Sequence, residues 1–595
     1  MEVTAMRTGK SLLRWQLTAL TFGISLSVGI VAASLVRAQD EKGEKKDEAK
    51  TEQKETPKKK EAKPAGRVAN DYGIAQVKQI NEQISQVWKD NNLNPSNPAT
   101  DGEWLRRLFL DVLGRVPSVV ELKAFVADKS SDKKVKIVNK ILEGEEYTEE
   151  YARNWTTVWT NLLIGRNGGT ENNSMISREG MQKYLRDSFA RNKPYDTMVH
   201  ELVTATGSTV PGKEDFNGAT NYLVMKLADD GAQATAMTSK LFLGLQVQCT
   251  QCHNHPFNEW KQQKYWEFNA FFRQTRALRK FGTGRDVEST ELVNQDYRGE
   301  SGNPQEADLF YELRNGLTKI AFPVFVDGAE IGRSGFVGEV DRRSKLGDMI
   351  VSSEFMDKTM VNRMWSHFLG YGFTKPIDDL GPHNVPSHPE LLEYLAKQFR
   401  KNSFDTKELI RWIVLSQPYS LSSKTMGGNQ SDDPQLGEAP KFSHFYLRQM
   451  RAEELYESLV VATEAQKTQG SYEEQEKLKS DWMRQFVTAF GTDDGEETTT
   501  FNGTIPQALM LFNGDLIKKA TSGEKGGFLQ GIANSNLKPA DKIDYLFLAG
   551  LSRKPTKVEL LAANELLAGH KGNMVDALQD MWWAILNSNE FIINH

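Results

Sequence analysis

Cysteine is nearly absent from this chain. Of 595 residues only Cys249 and Cys252 are cysteines. Two thiols cannot build a disulfide framework, so the fold has to rest on ordinary apolar cores. An excess of one charge is missing too. The formal net charge is -5, which leaves no broadly basic footprint and excludes nucleic acid as the expected partner. Familiar catalytic signatures are also lacking. The chain has no Walker A loop, no dinucleotide-binding glycine pattern after a strand, no G-x-S-x-G and no H-E-x-x-H. What remains is a globular composition, 39% hydrophobic and 26% charged. The chain is too long for one core, so two or more domains are expected.

The two cysteines stand together, in Cys249-Thr250-Gln251-Cys252-His253. C-x-x-C-H is the attachment pattern of c-type haem. Two thiols three apart can form thioethers to the two vinyl groups, and the next histidine can serve as proximal iron ligand through a neutral imidazole nitrogen. His255 follows two residues later. It is too close to His253 to reach the other face of the same haem. It is a candidate for a propionate contact, a second metal, or a turn cap. Other occupants stay open for the motif. Cys249, Cys252, His253 and His255 offer zinc-type ligands, although four within seven residues is cramped for a structural zinc site. A redox dithiol or small disulfide is a further alternative, without a thioredoxin-like βαβ pattern around it. So is a structural turn with no cofactor.

The amino-terminal stretch reads as an address. Arg7, Lys10 and Arg14 precede an uncharged run from Trp15 to Val36, closed by Arg37. A basic region followed by an apolar one predicts a secretory signal, with Ala38 at the cleavage site. The run also approaches the roughly 20 residues that span a bilayer, so an uncleaved anchor is the alternative. Both readings export the rest of the chain, to the periplasm or cell surface. Membrane contact is expected only through this segment, if it stays uncleaved. Residues 39–66 are Lys/Glu-rich and almost free of apolar side chains, which predicts a disordered tether.

Helical periodicity dominates from about Val68. Ile74, Val77, Ile80, Ile84 and Val87 recur at spacings of three and four. Gly114 and Pro117 predict a helix stop, and Ser118 with Glu121 predicts a capping box opening the next helix. A helix over Thr235 to Gln248 is expected to run directly into Cys249. Residues 108–122, LFLDVLGRVPSVVEL, repeat as residues 546–560, LFLAGLSRKPTKVEL. Two copies are too few for a solenoid and suggest related helical units near each end of the folded part. Residues 282–308 are polar and Gly-rich and predict a linker. The stretch Ala321–Gly328 is the best strand-and-turn candidate. The fold class is therefore mainly α, two helical domains with a minor β element around 320–340.

A second candidate cluster is Asp378, Asp379, His383 and His388, in and beside an apparent loop. The plainer reading is that Ser387-His388-Pro389 opens the helix LLEYLAKQF. Met349, Met356, Met360 and Met364, in a helical stretch with His367, fit core packing better than haem ligation. Asp341, Arg342 and Arg343 predict solvated ion pairs. The twelve tryptophans fall mostly in helical patterns and predict core packing.

These stretches together resemble exported planctomycete proteins built from a cytochrome-like domain of unknown function (PSCyt type) followed by a second one (PSD type). The resemblance covers nearly all of residues 70–595. The first domain's marks are Trp104-Leu105-Arg106-Arg107, LDVLGRVPSVVELKAF, YARNW at 151–155 and FLGLQVQCTQCHNHPFNEW at 242–260. The second domain's marks are Val361-Asn362-Arg363-Met364-Trp365, DDLGPHNVPSHPELLEYLA at 378–396 and SFDTKELIRWIVLSQPYSLSS at 403–423. Gln507-Ala508-Leu509 and Leu511-Phe512-Asn513 complete the set. The resemblance implies export and a suspected haem-c site, and names no reaction.

The expected domain plan is a signal or anchor at 1–38, a charged linker at 39–66, and a PSCyt-like helical domain at 67–281. A linker with a small β element at 282–340 and a PSD-like helical domain at 341–595 follow. The expected function is an exported c-type cytochrome-like redox protein with haem c on Cys249, Cys252 and His253. It would act in electron transfer or small-molecule redox chemistry with an unidentified redox or surface partner. Two alternatives stand beside it. One is a non-haem binding module holding zinc or another divalent metal at the Cys/His cluster. The other is a metal-dependent hydrolase.

Overall fold

Arg106 and Arg107 show how the chain holds itself together. Both are fully buried on the helix Asp101–Leu113. Arg106 donates to the carbonyls of Gly550 and Phe591, each at 2.7 Å, and Arg107 donates to those of Tyr419 and Leu421. Burying a guanidinium is costly unless acceptors meet its donors, and distant carbonyls accept from both terminal nitrogens of Arg106 and from Arg107. One helix near the start of the folded part is thereby fastened to segments more than 300 residues away.

The computed structural model describes residues 70–256, 259–464, 474, 477, 479, 520–524 and 527–595. Residues Val68–His595 form one unit and Met1–Arg67 another. The expected signal or anchor and charged linker lie outside the described residues, as do the 507–513 motifs. Among the described residues, no helix is long and apolar enough to cross a membrane.

The architecture is mainly α, with small antiparallel sheets. Local chemistry sets many helix ends. Thr100 and Glu103 form a capping box for Asp101–Leu113, and Ser118 and Glu121 form the expected one for Val119–Ala127. The first large core draws on Val77, Trp104, Trp159, Phe271, Trp365, Leu395 and Tyr446, so one apolar interior runs through both halves of the chain. A second core packs Leu110, Val116 and Val119 against residues of 450–592.

The internal repeat is real in three dimensions. In the first copy Arg115 pairs with Glu121 through two contacts of 3.0 Å and with Glu150 at 2.8 Å. In the second copy Arg553 pairs with Glu559 through two contacts of 2.8 Å and with Glu590 at 2.5 Å. Thr556 and Glu559 repeat the capping box. The two copies meet in the second core, where Val116 and Val119 join Leu546 and Leu551.

The β structure falls earlier than 320–340 for the most part. Strands β1 (Gly207–Ser208), β2 (Thr275–Phe281) and β3 (Val287–Asn294) form one sheet in the order β1-β3-β2. Ala277 pairs with Leu292 across β2 and β3. β4 (Leu309–Glu312) and β5 (Thr318–Ala321) form a hairpin in which Phe310 faces Ile320. Within 320–340 an isolated bridge joins Val324 and Glu330. The linker expected over 282–308 therefore contains β3. Its buried positions include Ser289 and Thr290, polar residues that hide the two-residue period.

Arg342 and Arg343 correct a second expectation. They are 0% exposed, not solvated. Arg342 donates to the carbonyls of Ala270, Ala307 and Arg333, and Arg343 to those of Val203 and Ala205 and to Asn294 Oδ1. Their carbonyl partners lie outside their own helix, Arg342–Ser352.

Candidate functional site

The helix expected to reach Cys249 stops earlier. Ala228–Leu243 ends at Gly244, which is left-handed at φ 62°. A Cβ at Gly244 would stand 2.7 Å from Thr359 Oγ1 and 3.0 Å from Leu380 Cδ1. Only glycine satisfies both the backbone and the close approach of the second half of the chain. After this turn the motif forms a single 3-10 turn, Gln248–Gln251. Thr250, fully buried, clamps it through its N–H and Oγ1, both donating to Val247 O at 2.9 and 2.6 Å.

With Thr250 pointing in, Cys249 and Cys252 point out. Both are free and exposed. His253 is half-buried, and its Nδ1 lies 2.7 Å from Asn254 O. A carbonyl only accepts, so Nδ1 carries the proton and Nε2 keeps its lone pair in the neutral ring. Gln262 secures the loop from behind, donating from Nε2 to Gln251 O at 3.1 Å and to Glu312 O at 2.9 Å. Trp266 donates to Gln251 O at 3.1 Å and stacks on Tyr311 of β4. The His255 N–H donates to Trp260 O at 2.8 Å. Burial, and then the nearby Cys252, push the Tyr265 phenol up.

The loop 378–384 packs against this turn. Asp378 is buried and accepts from Gln246 Nε2 at 2.6 Å, with Lys240 Nζ at 3.2 Å from its other oxygen. Leu380 N–H donates to Gly244 O at 2.7 Å. Asp379 Oδ2 is 2.9 Å from His383 Nε2, and Asn384 Nδ2 donates to Asp379 O at 2.8 Å. The His383 ring then stands 5.8 Å, centre to centre, from that of His255. The two sequence-derived clusters thus become neighbours. Asp378, Asp379 and His383 join the Cys249–His255 turn.

His388 does not join them. It is 6% exposed, packed against Phe373 and Phe442, with Ser387 Oγ 2.9 Å from its Nδ1. Burial pushes its imidazole down to about 4. It is the N-cap residue of the helix Pro389–Lys401, as the plainer reading expected. Met356, Met360 and Met364 are buried in the first core. His367 is half-buried, its Nε2 3.0 Å from Asp111 O, and desolvation holds it well below the usual histidine range.

The chemistry of the donor set fits covalent haem. Two accessible thiols flank one turn, and the adjacent imidazole has its Nδ1–H engaged and Nε2 available, the arrangement common for ligating histidines. Among the described residues, no group of three or more His, Cys, Asp or Glu side chains is placed to hold a metal ion. Lys240, Gln246, Asn254, Gln262 and Trp266 escaped the sequence reading. A lone glutamine or lysine carries no motif, and their partners lie in other segments.

Residues 79–277 match the family model PSCyt2, a protein of unknown function (DUF1549). Residues 342–567 match PSD1, a protein of unknown function (DUF1553). The chain therefore belongs to the proteins that carry these two domains in this order. The turn and the loop that meet at the site come one from each matched region. No curated protein and no solved structure matches the chain.

Proposed function

We propose that this is an exported redox protein that carries haem c on Cys249 and Cys252, with His253 as iron ligand. The observation that carries the reading is the turn itself: the chain's only two thiols, both free and exposed, beside an imidazole whose Nδ1 is tied to a backbone carbonyl. When bound, haem would supply one-electron chemistry at iron, with its potential set by axial ligation and burial.

The chain's own residues do the rest. Cys249 and Cys252 hold the group covalently. Asn254 O orients His253. Thr250, Gln262 and Trp266 keep the turn rigid, so thiols and imidazole stay in one register. Asp378 locks the turn to the second matched region. Export is supported by the basic-then-apolar segment ending near Ala38, because covalent haem is attached outside the cytoplasm. The test is expression of the full chain in a host with haem-c maturation, followed by a haem-stained denaturing gel. Staining that Cys252→Ala abolishes is expected. An unstained chain bearing zinc on elemental analysis would overturn the reading.

A further inference from the structure

We propose that His255 and His383 form a second, separate site that binds a divalent transition-metal ion through two imidazole nitrogens, with Asp379 behind His383 as the orienting carboxylate. The inference does not rest on haem attachment. It rests on three observations about the loop 378–384 and the turn it covers.

The first is the ring separation. An imidazole nitrogen sits about 2.0–2.1 Å from a bound ion, which puts each ring centre roughly 3 Å away and two centres at up to about 6 Å. The observed 5.8 Å, with the planes 37° apart, suits an ion between them at a wide angle. The second is the tautomer. Ionised Asp379 only accepts, so His383 Nε2 carries the proton across their 2.9 Å contact and Nδ1 keeps the lone pair. A carboxylate or carbonyl behind the non-ligating nitrogen is the usual support of a metal-binding histidine. The third is the glycine at 381. A Cβ there would fall 2.7 Å from both His383 Nδ1 and Cε1. Glycine leaves the ligating edge of the ring clear.

Backbone bonds fix the chain around both residues. His255 N–H is bonded to Trp260 O, and Asn384 N–H to Gly381 O at 2.9 Å. Two protein nitrogens leave the other positions to water or an exogenous ligand. Imidazole suits copper(II) and zinc, and copper(II) binds most tightly in the usual order, so copper is the probe.

The experiment uses the full-length chain carrying Cys249→Ser and Cys252→Ser, which removes thiol ligation and haem attachment together. Cu2+ is titrated in, with paramagnetic resonance counting the ligating nitrogens. One Cu2+ per chain with two nitrogens is expected. His255→Ala or His383→Ala should weaken binding at least tenfold, and Asp379→Asn about 10- to 100-fold. Gly381→Ala should also weaken it while the circular dichroism stays that of the parent. Unchanged affinity in His383→Ala would overturn the proposal, as would loss of binding in His253→Ala or a one-nitrogen signal. Haem attachment is read separately on the wild-type chain, so either idea can fail alone.

Discussion

Gln246 donates from Nε2 to Asp378 Oδ1 at 2.6 Å, across 132 residues of sequence. This contact, with Lys240 3.2 Å from the other carboxylate oxygen, seats the C-x-x-C-H turn on the second matched region. Asp378 is buried, so removing its carboxylate takes the acceptor from Gln246 and releases the partly exposed Lys240 to water. Asp378→Ala should cost about 2 kcal/mol in denaturant unfolding. Asp378→Asn, which keeps an acceptor for Gln246, should cost less. Equal stability of Asp378→Ala and wild type would show that the contact carries no weight.

Asp111 is a larger anchor. It is fully buried and accepts from Tyr419 Oη at 2.7 Å, Asn594 Nδ2 at 2.6 Å and the Arg448 guanidinium. Burial pushes its carboxyl up to about 6, still ionised at neutral pH. Asp111→Ala leaves Arg448 uncompensated and should destabilise the chain by roughly 3–5 kcal/mol. A thermal midpoint within a degree of wild type would contradict this.

Two groups predict acid sensitivity in different windows. His388 is neutral when folded, because burial pushes its imidazole from the ordinary value near 6.5 down to about 4. The unfolded chain binds the extra proton first, so stability falls as pH drops from about 6.5 toward 4, by about 3 kcal/mol in all. His388→Phe should flatten that part of the stability-versus-pH curve. An unchanged slope in the variant would contradict the assignment.

Glu121 works lower. Burial alone would raise it, but the hydrogen bonds and charge of Arg115 and the Ser118 cap hold it down to about 2. A depressed carboxyl contributes stability above its unfolded value near 4.5. That contribution is lost as pH falls from about 4.5 to 2, again about 3 kcal/mol. Glu121→Gln should remove it at neutral pH and weaken the pH dependence below 4.5. The equivalent Glu559 is one-third exposed, so Glu559→Gln should cost less.

How much of this was legible in sequence follows from range. The capping box at Ser118 and Glu121 was readable because both partners lie within three residues. The repeat was readable as text, although its Arg–Glu staples were not, since Glu150 and Glu590 come from other helices. β3 was hidden because its adjacent residues Ser289 and Thr290, which point to opposite faces, are both buried and polar, so no apolar–polar alternation shows. Arg342 and Arg343 looked solvated because the acceptors that permit their burial are backbone carbonyls, which no side-chain pattern reveals. At the site, the Cys–His turn stood out through its spacing. Its meeting with His383 depended on Gly244, Leu380 and the Gln246–Asp378 contact, all of them long-range.

The most direct test of the central claim is mass spectrometry of the peptide that spans Cys249–His253, taken from full-length protein exported by a host with haem-c maturation. The account predicts one haem joined covalently to both cysteines, with neither thiol open to alkylation before or after unfolding. A peptide of unmodified mass, both cysteines alkylating freely in the folded protein, would contradict it.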